Sequence, residues 1–209
     1  RSLAHHLRDA HGVTNGDRVA ISMRNFPEWV MTYWATVSLG AAVVGMNAWW
    51  TSEEMKFGMT DAQPKVAVVD DERIERLLPV LDDIRAESPM HVISVRSDRE
   101  LPADCSRWSD VVDGSTAPTE LPAAEIDPDD DVCIFYTSGT TGFPKGAQLT
   151  HRGSVHNVMN LVFMSLTAAT AEAKAKAAGD IEGKEMGNLT DAASQPVYMA
   201  PTPLFHVTA

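Results

Sequence analysis

Short apolar runs that alternate with segments of helical spacing constrain this 209-residue chain more than any other feature. Residues 19–23, 41–45, 65–70 (Lys-Val-Ala-Val-Val-Asp) and 91–95 read as strands. Between them, the periodicity predicts helices. Leu3, Leu7 and Ala10 share one helical face that ends at Gly12. Asn15-Gly16-Asp17 makes a turn, and Asn25 is placed to cap a helix that starts at Pro27 and runs to about residue 39. Residues 72–86 carry Ile74, Leu77, Leu78, Leu81 and Ile84 on one side of a further helix. Strands that alternate with helices imply the α/β class, with layers of parallel sheet flanked by helices.

One stretch imitates a different architecture. Residues 29–50 hold no charge and carry tryptophans at both ends, as a membrane span with interfacial aromatics does. Its spacing changes midway, however. Val30, Tyr33, Trp34 and Val37 recur helically, whereas residues 41–44 form a short apolar run between glycines. A buried helix, a glycine turn and a buried strand account for both halves.

Composition narrows the partners. Apolar residues make up 44% and charged residues 22%, as in ordinary globular proteins. A net charge of −12 argues against nucleic-acid binding, which needs a basic stripe to release counterions. Anions remain within reach where one Lys or a set of backbone N–H groups makes the potential locally positive. Cys105 and Cys133 are far apart and form neither a disulfide framework nor a zinc pattern, which suits a reducing, cytoplasmic setting. Peripheral attachment to a membrane and oligomerisation are left open. The histidines at 5, 6, 11, 91, 151 and 156 form no convincing metal set.

Residues 97–131 lose the alternation and end in the acidic run Asp127-Pro-Asp-Asp-Asp131, which reads as a solvated connection. A strand at 132–136 follows, then the stretch FYTSGTTGFPKG, then a short strand at 147–149 and a helix over about 152–166. That helix has Val155, Val158, Met159, Val162 and Phe163 on its apolar side. Residues 167–195 contain no aromatic residue and few large aliphatics. They are read as prolonging the helix for a turn or two and otherwise as a mobile insertion. Residues 197–200 return to strand.

The glycine-rich stretch leaves a strand at the edge where open α/β sheets bind ligands. Gly139, Gly142 and Gly146 permit positive φ and allow backbone N–H groups to converge on an anion. Ser138, Thr140 and Thr141 add hydroxyl donors, Lys145 adds one mobile charge, and Pro144 fixes the backbone before it. These parts suit a polyphosphate. Neither G-x-x-x-x-G-K-[ST] nor G-x-G-x-x-G is present, since Lys145 precedes its glycine and no hydroxyl residue follows. On chemistry alone, a glycine-rich turn without a ligand stays open.

Tyr136-Thr-Ser-Gly-Thr-Thr-Gly-Phe-Pro-Lys-Gly146 resembles the signature loop of the adenylate-forming superfamily, which includes acyl- and aryl-CoA synthetases, peptide-synthetase adenylation domains and luciferases. Only Phe143 stands at a position that varies in that family. GVTNGDRVAISMRNFPEWV and GAAVVGMNAWWTSEEM are similar to its early βα units, and QLTHRG to the continuation after the loop. Pro203-Leu-Phe-His206 resembles the segment that acyl- and aryl-CoA synthetases place beside the carboxylate pocket.

The resemblance implies a function and a set of roles. A carboxylic acid, fatty acids foremost, attacks Mg·ATP to give an acyl-adenylate, and coenzyme A then accepts the acyl group. Thr137, Ser138, Gly139, Thr140, Thr141, Gly142, Pro144, Lys145 and Gly146 are implied to bind the β- and γ-phosphates, with Lys145 offsetting charge on the departing pyrophosphate. Phe205 is implied to wall the acid pocket, and His206 to lie near the reacting carboxylate. The magnesium-binding Glu is expected beyond residue 209, as are the rest of the large domain and the small C-terminal domain. Residues 1–209 are then an incomplete N-terminal AMP-binding domain, inactive alone. A ligase that passes the acyl group to a carrier protein, and a non-catalytic anion-binding module, are the alternatives.

Overall fold

The computed structural model describes residues 1–112, 118–137, 143–179 and 202–205. Ser138, Gly139, Thr140, Thr141, Gly142 and His206 lie outside the described residues, as does the strand expected at 197–200. The chain divides into two units. One holds Arg1–His151 and the segment from Thr202, and the other holds Arg152–Pro201.

The first unit is a seven-stranded sheet in the order β5-β4-β3-β1-β2-β6-β7. Its strands are β1 (Arg18–Ser22), β2 (Ala42–Gly45), β3 (Val66–Asp70), β4 (His91–Val95), β5 (Cys105–Arg107), β6 (Asp131–Thr137) and β7 (Lys145–Thr150). All neighbours pair in parallel except β6 and β7, which are antiparallel. The expected α/β class and parallel sheet are therefore present.

Side-chain alternation along the strands feeds two cores. Val19, Ile21, Val43, Val66, Val68 and Ile93 face helices α1 (Ser2–His11), α2 (Pro27–Val37) and α6 (Trp108–Val111). Ala20, Val44, Ala67, Val69 and Val92 face α3 (Ser52–Ala62), α4 (Asp71–Leu77) and α5 (Leu81–Glu87). Leu7, Ile21, Met55, Met59, Ile74 and Ile84 are fully buried. Each contributes about 1.5–3 kcal/mol relative to exposure. Residues 29–50 divide between α2, a turn and β2 as expected, and no described helix is long and apolar enough to cross a membrane.

Several sequence expectations are corrected. The helix expected over 72–86 breaks into α4, a 3-10 turn at Leu78–Val80 and α5, because Pro79 has no N–H to donate. Asp70 caps α4 by accepting from the Arg73 amide. Asn25 does not cap α2: the N-cap residue is Phe26, without a side-chain bond. The connection read at 97–131 contains edge strand β5 and the short α6.

The periodicity marks no helix at α3, which enters the sequence reading only through the likeness of GAAVVGMNAWWTSEEM to a βα unit. The helix starts at a reciprocal capping box, in which Thr51 accepts from the Glu54 amide and Glu54 accepts from the Thr51 amide. Met55, Gly58, Met59 and Ala62 form its buried stripe.

The second unit, from Arg152, holds all but the first residue of the long helix α7 (His151–Ala178), which runs well past the end expected near residue 166. None of its residues is buried, and Val155, Val158, Met159, Val162 and Phe163, read as an inward side, are exposed. Large apolar residues here also include Leu161 and Met164, so they reach most of the way round the helix and form no single stripe. Beyond residue 166, Ala, Glu and Lys carry the helix through intrinsic propensity, helped by an i,i+4 pair between Lys176 and Glu172. The part of 167–195 from residue 180 onward lies outside the described residues.

Candidate functional site

Because β1, β2, β3 and β6 are parallel, the residues that follow them gather at one edge of the sheet. The helix after β1 packs on one face and the helix after β2 on the other. This divergence opens the crevice in which open α/β sheets hold ligands.

A buried polar network closes the β1–β3 side of that edge. Asp70, at the end of β3, accepts from the Arg24 amide at 3.0 Å and from the Arg73 guanidinium at 3.2 Å. Arg73 Nε donates to the Ala48 carbonyl at 2.7 Å, and Arg76 donates to the Trp50 carbonyl at 3.1 Å. Asp70 and Arg73 are 3% and 1% exposed, so each charge depends on its partners. The network ties the exit of β2 to the ends of β1 and β3. Nothing in the sequence marked Arg73, which occupies an ordinary charged position on a helix.

The β6–β7 side is open. The glycine-rich stretch spans a hairpin in which Tyr136 pairs with Gly146 and Thr137 with Lys145. Thr137, Lys145 and Gly146 are therefore strand residues, and the expectation that they belong to the loop itself is corrected. The Thr137 hydroxyl donates to the Lys145 carbonyl at 3.3 Å. Lys145 is exposed and makes no ion pair with a described residue. Gly146 does not use the positive φ that glycine permits. It is glycine for lack of space, since a Cβ there would meet Ile134 Cγ2 at 2.8 Å.

A cleft of about 430 Å³ adjoins the hairpin. Thr137, Phe143 and Pro144 line it from the hairpin, Asn47, Trp49 and Trp50 from the chain after β2, and Glu53, Glu54 and Phe57 from α3. Phe205 is buried and packs edge-on against Trp49 at 5.2 Å, behind the cleft wall. Its segment is held by Asn25, whose side-chain amide donates to the Thr202 carbonyl at 2.9 Å and accepts from the Leu204 amide at 2.8 Å. Asn25 thus spends its side chain on the segment that carries Phe205. Gly45 makes room beneath, because a Cβ there would meet the Phe135 ring at 2.7 Å. Neither Asn25 nor Trp49 was singled out as a site residue from sequence, although paired tryptophans just beyond a strand were a usable signal.

A larger groove of about 930 Å³ runs along α1, α2 and α6, lined by Val30, Met31, Trp34 and Trp108. It contains none of the predicted site residues. At the opposite, amino edge of the sheet, His6 and His11 meet nitrogen to nitrogen at 3.1 Å, and His11 stacks on His91 at 4.1 Å. Burial, then the neighbouring His91 and His6, push His11 down to about 4. Burial also lowers His6 and, ahead of the effect of Arg85, His91. These rings are neutral at ordinary pH. Among the described residues, no three His, Cys, Asp or Glu side chains are placed together to hold a metal ion.

The AMP-binding enzyme family profile matches residues 1–209. 4-Coumarate–CoA ligase 1 of Arabidopsis thaliana is 31% identical over 155 residues, covering 72% of this chain and 27% of that protein. Long-chain-fatty-acid–CoA ligase FadD13 of Mycobacterium tuberculosis is 34% identical over 149 residues, covering 71% of this chain and 27% of that protein. The crystal structure of the anthranilate CoA ligase AuaEII in complex with anthranoyl-AMP matches with a TM-score of 0.61 at 29% identity, over 72% of this chain and 28% of that one. The chain therefore spans roughly a quarter of the length of these relatives, 27% in both sequence matches. The profile match runs through the hairpin, the cleft and the segment bound by Asn25, and the chain belongs to the family of AMP-binding enzymes.

Proposed function

We propose that the protein carrying this chain is an AMP-forming acid–CoA ligase, to which residues 1–209 contribute the amino-terminal part of the large domain. A carboxylate oxygen attacks the α-phosphorus of ATP, and the bond from that phosphorus to the α,β-bridging oxygen breaks. Pyrophosphate leaves with the bonding electron pair. The thiolate of coenzyme A then attacks the acyl carbonyl, and AMP departs.

Such transfers ask a protein for position and charge stabilisation more than for covalent chemistry. Lys145 meets the negative charge that grows on the departing pyrophosphate. Thr137, Ser138, Gly139, Thr140, Thr141, Gly142, Pro144 and Gly146 surround the phosphates. Phe205 and His206 belong to the acid-binding side, with Trp49 between Phe205 and the cleft. No step is assigned to a metal ion. The observation that carries this reading is the exposed Lys145, paired with Thr137 at the open carboxyl edge of a chain that belongs to the AMP-binding family.

Fatty acids are the leading substrate class. Aromatic acids are the second, because 4-coumarate ligases stand beside a long-chain fatty-acid ligase among the relatives. Carboxylate-dependent exchange of labelled pyrophosphate into ATP, run on the full-length protein with both acid classes, tests the reading. Exchange with fatty acids supports it, exchange with aromatic acids alone moves the substrate class, and no exchange with any acid overturns it. Consumption of coenzyme A separates this enzyme from a ligase that loads a carrier protein.

A further inference from the structure

Two side-chain contacts join the glycine-rich hairpin to one face of α3. On the first limb, the Tyr136 hydroxyl donates to the Asp61 carboxylate at 2.5 Å and reaches the Gly58 carbonyl at 3.5 Å. The Tyr136 ring also meets Trp50 edge-on at 5.4 Å. On the second limb, the Phe143 ring lies 5.1 Å from that of Phe57. Phe57 and Asp61 are four residues apart and so share a helix face, one turn above the other. The two limbs they touch are also cross-linked, because Thr137 pairs with Lys145 and Tyr136 with Gly146. A helix with its own capping box and a buried methionine stripe thus supports β6 and the residue two positions before β7, beside the proposed phosphate-binding residues.

We propose that Asp61 and Phe57 are positioning residues for adenylation, which fix the β6–β7 pair against α3 and thereby set where Lys145 presents its charge. The proposal rests on the role given to Lys145 above. Its physical basis is the difference between a strand pair held only by its ladder and one held also to a packed helix. A ladder alone leaves a terminal hairpin free to twist, whereas a hydrogen bond from a tyrosine to an ionised carboxylate is among the stronger polar contacts. Both contacts sit at the rim. Asp61 and Phe143 are exposed, and neither belongs to either core. A contact that contributes little to folding and much to geometry shows itself in rate. A displacement of about 1 Å at reacting groups costs on the order of 10²-fold.

The test uses pyrophosphate exchange and thermal melting of the full-length protein, with Asp61→Ala, Asp61→Asn, Tyr136→Phe and the double variant Asp61→Ala/Tyr136→Phe. The expected result is a loss of about 10- to 100-fold in kcat for Asp61→Ala and for Tyr136→Phe, with the KM for ATP changing much less. Asp61→Asn recovers part of the loss, because an amide oxygen still accepts from the tyrosine. The double variant is no worse than either single one, as for two partners of one contact. Wild-type kcat in folded Asp61→Ala, or losses that add in the double variant, overturns the proposal. If Asp61→Ala does not fold, Tyr136→Phe and Phe57→Leu decide it by the same criteria. Impaired exchange in Lys145→Ala beside unimpaired Asp61 and Tyr136 variants removes the positioning role alone. Absence of exchange in the wild-type protein removes it together with the proposed function.

Discussion

Two stretches of the carboxyl edge, one central and one at the β7 side, are built on opposite principles. At β1–β3 the polar groups are buried and paired, with Arg73 1% exposed among Asp70, the Ala48 carbonyl and Glu72. At β6–β7 the cleft side is open, with Phe143 65% exposed and the Lys145 side chain in no ion pair with a described residue. The buried stretch commits Asp70 and most of the Arg73 guanidinium to the fold, with Arg73 Nη2 left without a hydrogen-bond partner among the described residues. The open stretch leaves its charge uncommitted and takes its position from α3. Stability and chemistry are thereby assigned to different residues within one edge, and substitutions should separate them.

The largest effect is expected at the buried stretch. Arg73→Ala strands Asp70 without its guanidinium and should lower stability by about 3–5 kcal/mol in chemical denaturation. A loss below about 1 kcal/mol would mean that the network is relaxed by water, and the contrast with the open stretch would fail. At that open stretch the pattern reverses. Lys145→Ala should change stability by no more than about 0.5 kcal/mol while lowering kcat and kcat/KM for adenylation together, by about 10²–10³. A rise in KM for ATP with kcat unchanged would assign Lys145 to binding, and unchanged kinetics in a folded variant would remove it from the chemistry.

Between the two stretches, α3 should respond modestly. Thr51→Ala removes one half of the capping box and should cost about 1 kcal/mol in thermal melting. Part of the rate loss proposed for Asp61 variants should accompany it. The smallest effect concerns the opposite edge of the sheet, where water screens the half-exposed imidazoles. Above pH 6.5 His11 is neutral whether folded or not and contributes nothing to the pH dependence. Below it, the unfolded chain takes up a proton that the folded ring, lowered to about 4, refuses, so stability falls as pH drops from 6.5 towards 4. Melting temperatures across that window should decline less steeply in His11→Asn than in wild type. An identical slope would show that the cluster does not resist protonation.

The site was legible in its residue types and illegible in its supports. Gly139, Gly142, Lys145 and Pro144 mark the proposed phosphate-binding stretch because backbone freedom, donors and charge are properties of the residues themselves. Gly146 is read from sequence for the positive φ it permits, whereas the structure needs it for space, since the obstruction by Ile134 comes from the neighbouring strand of the hairpin. Asn25 was read as a helix cap because capping is a local habit, yet its amide bonds residues 177 and 179 positions away. Helix α3 had a legible start in Thr51-Ser-Glu-Glu54, a signal that the adjoining tryptophans and glycines obscured.

Sequence alone determined the alternation of strands and helices, the parallel sheet and the family motif, because periodicity, turn chemistry and residue type act over a few neighbours. Tertiary structure decided that Asp70 and Arg73 pair in the interior, that Tyr136 finds Asp61 on α3, and that His6, His11 and His91 share one corner. It also decided that α7 buries none of its apolar residues, whatever its composition proposed. Burial and long-range hydrogen bonds depend on which distant segments the sheet order brings together, and that order is a property of the assembled chain.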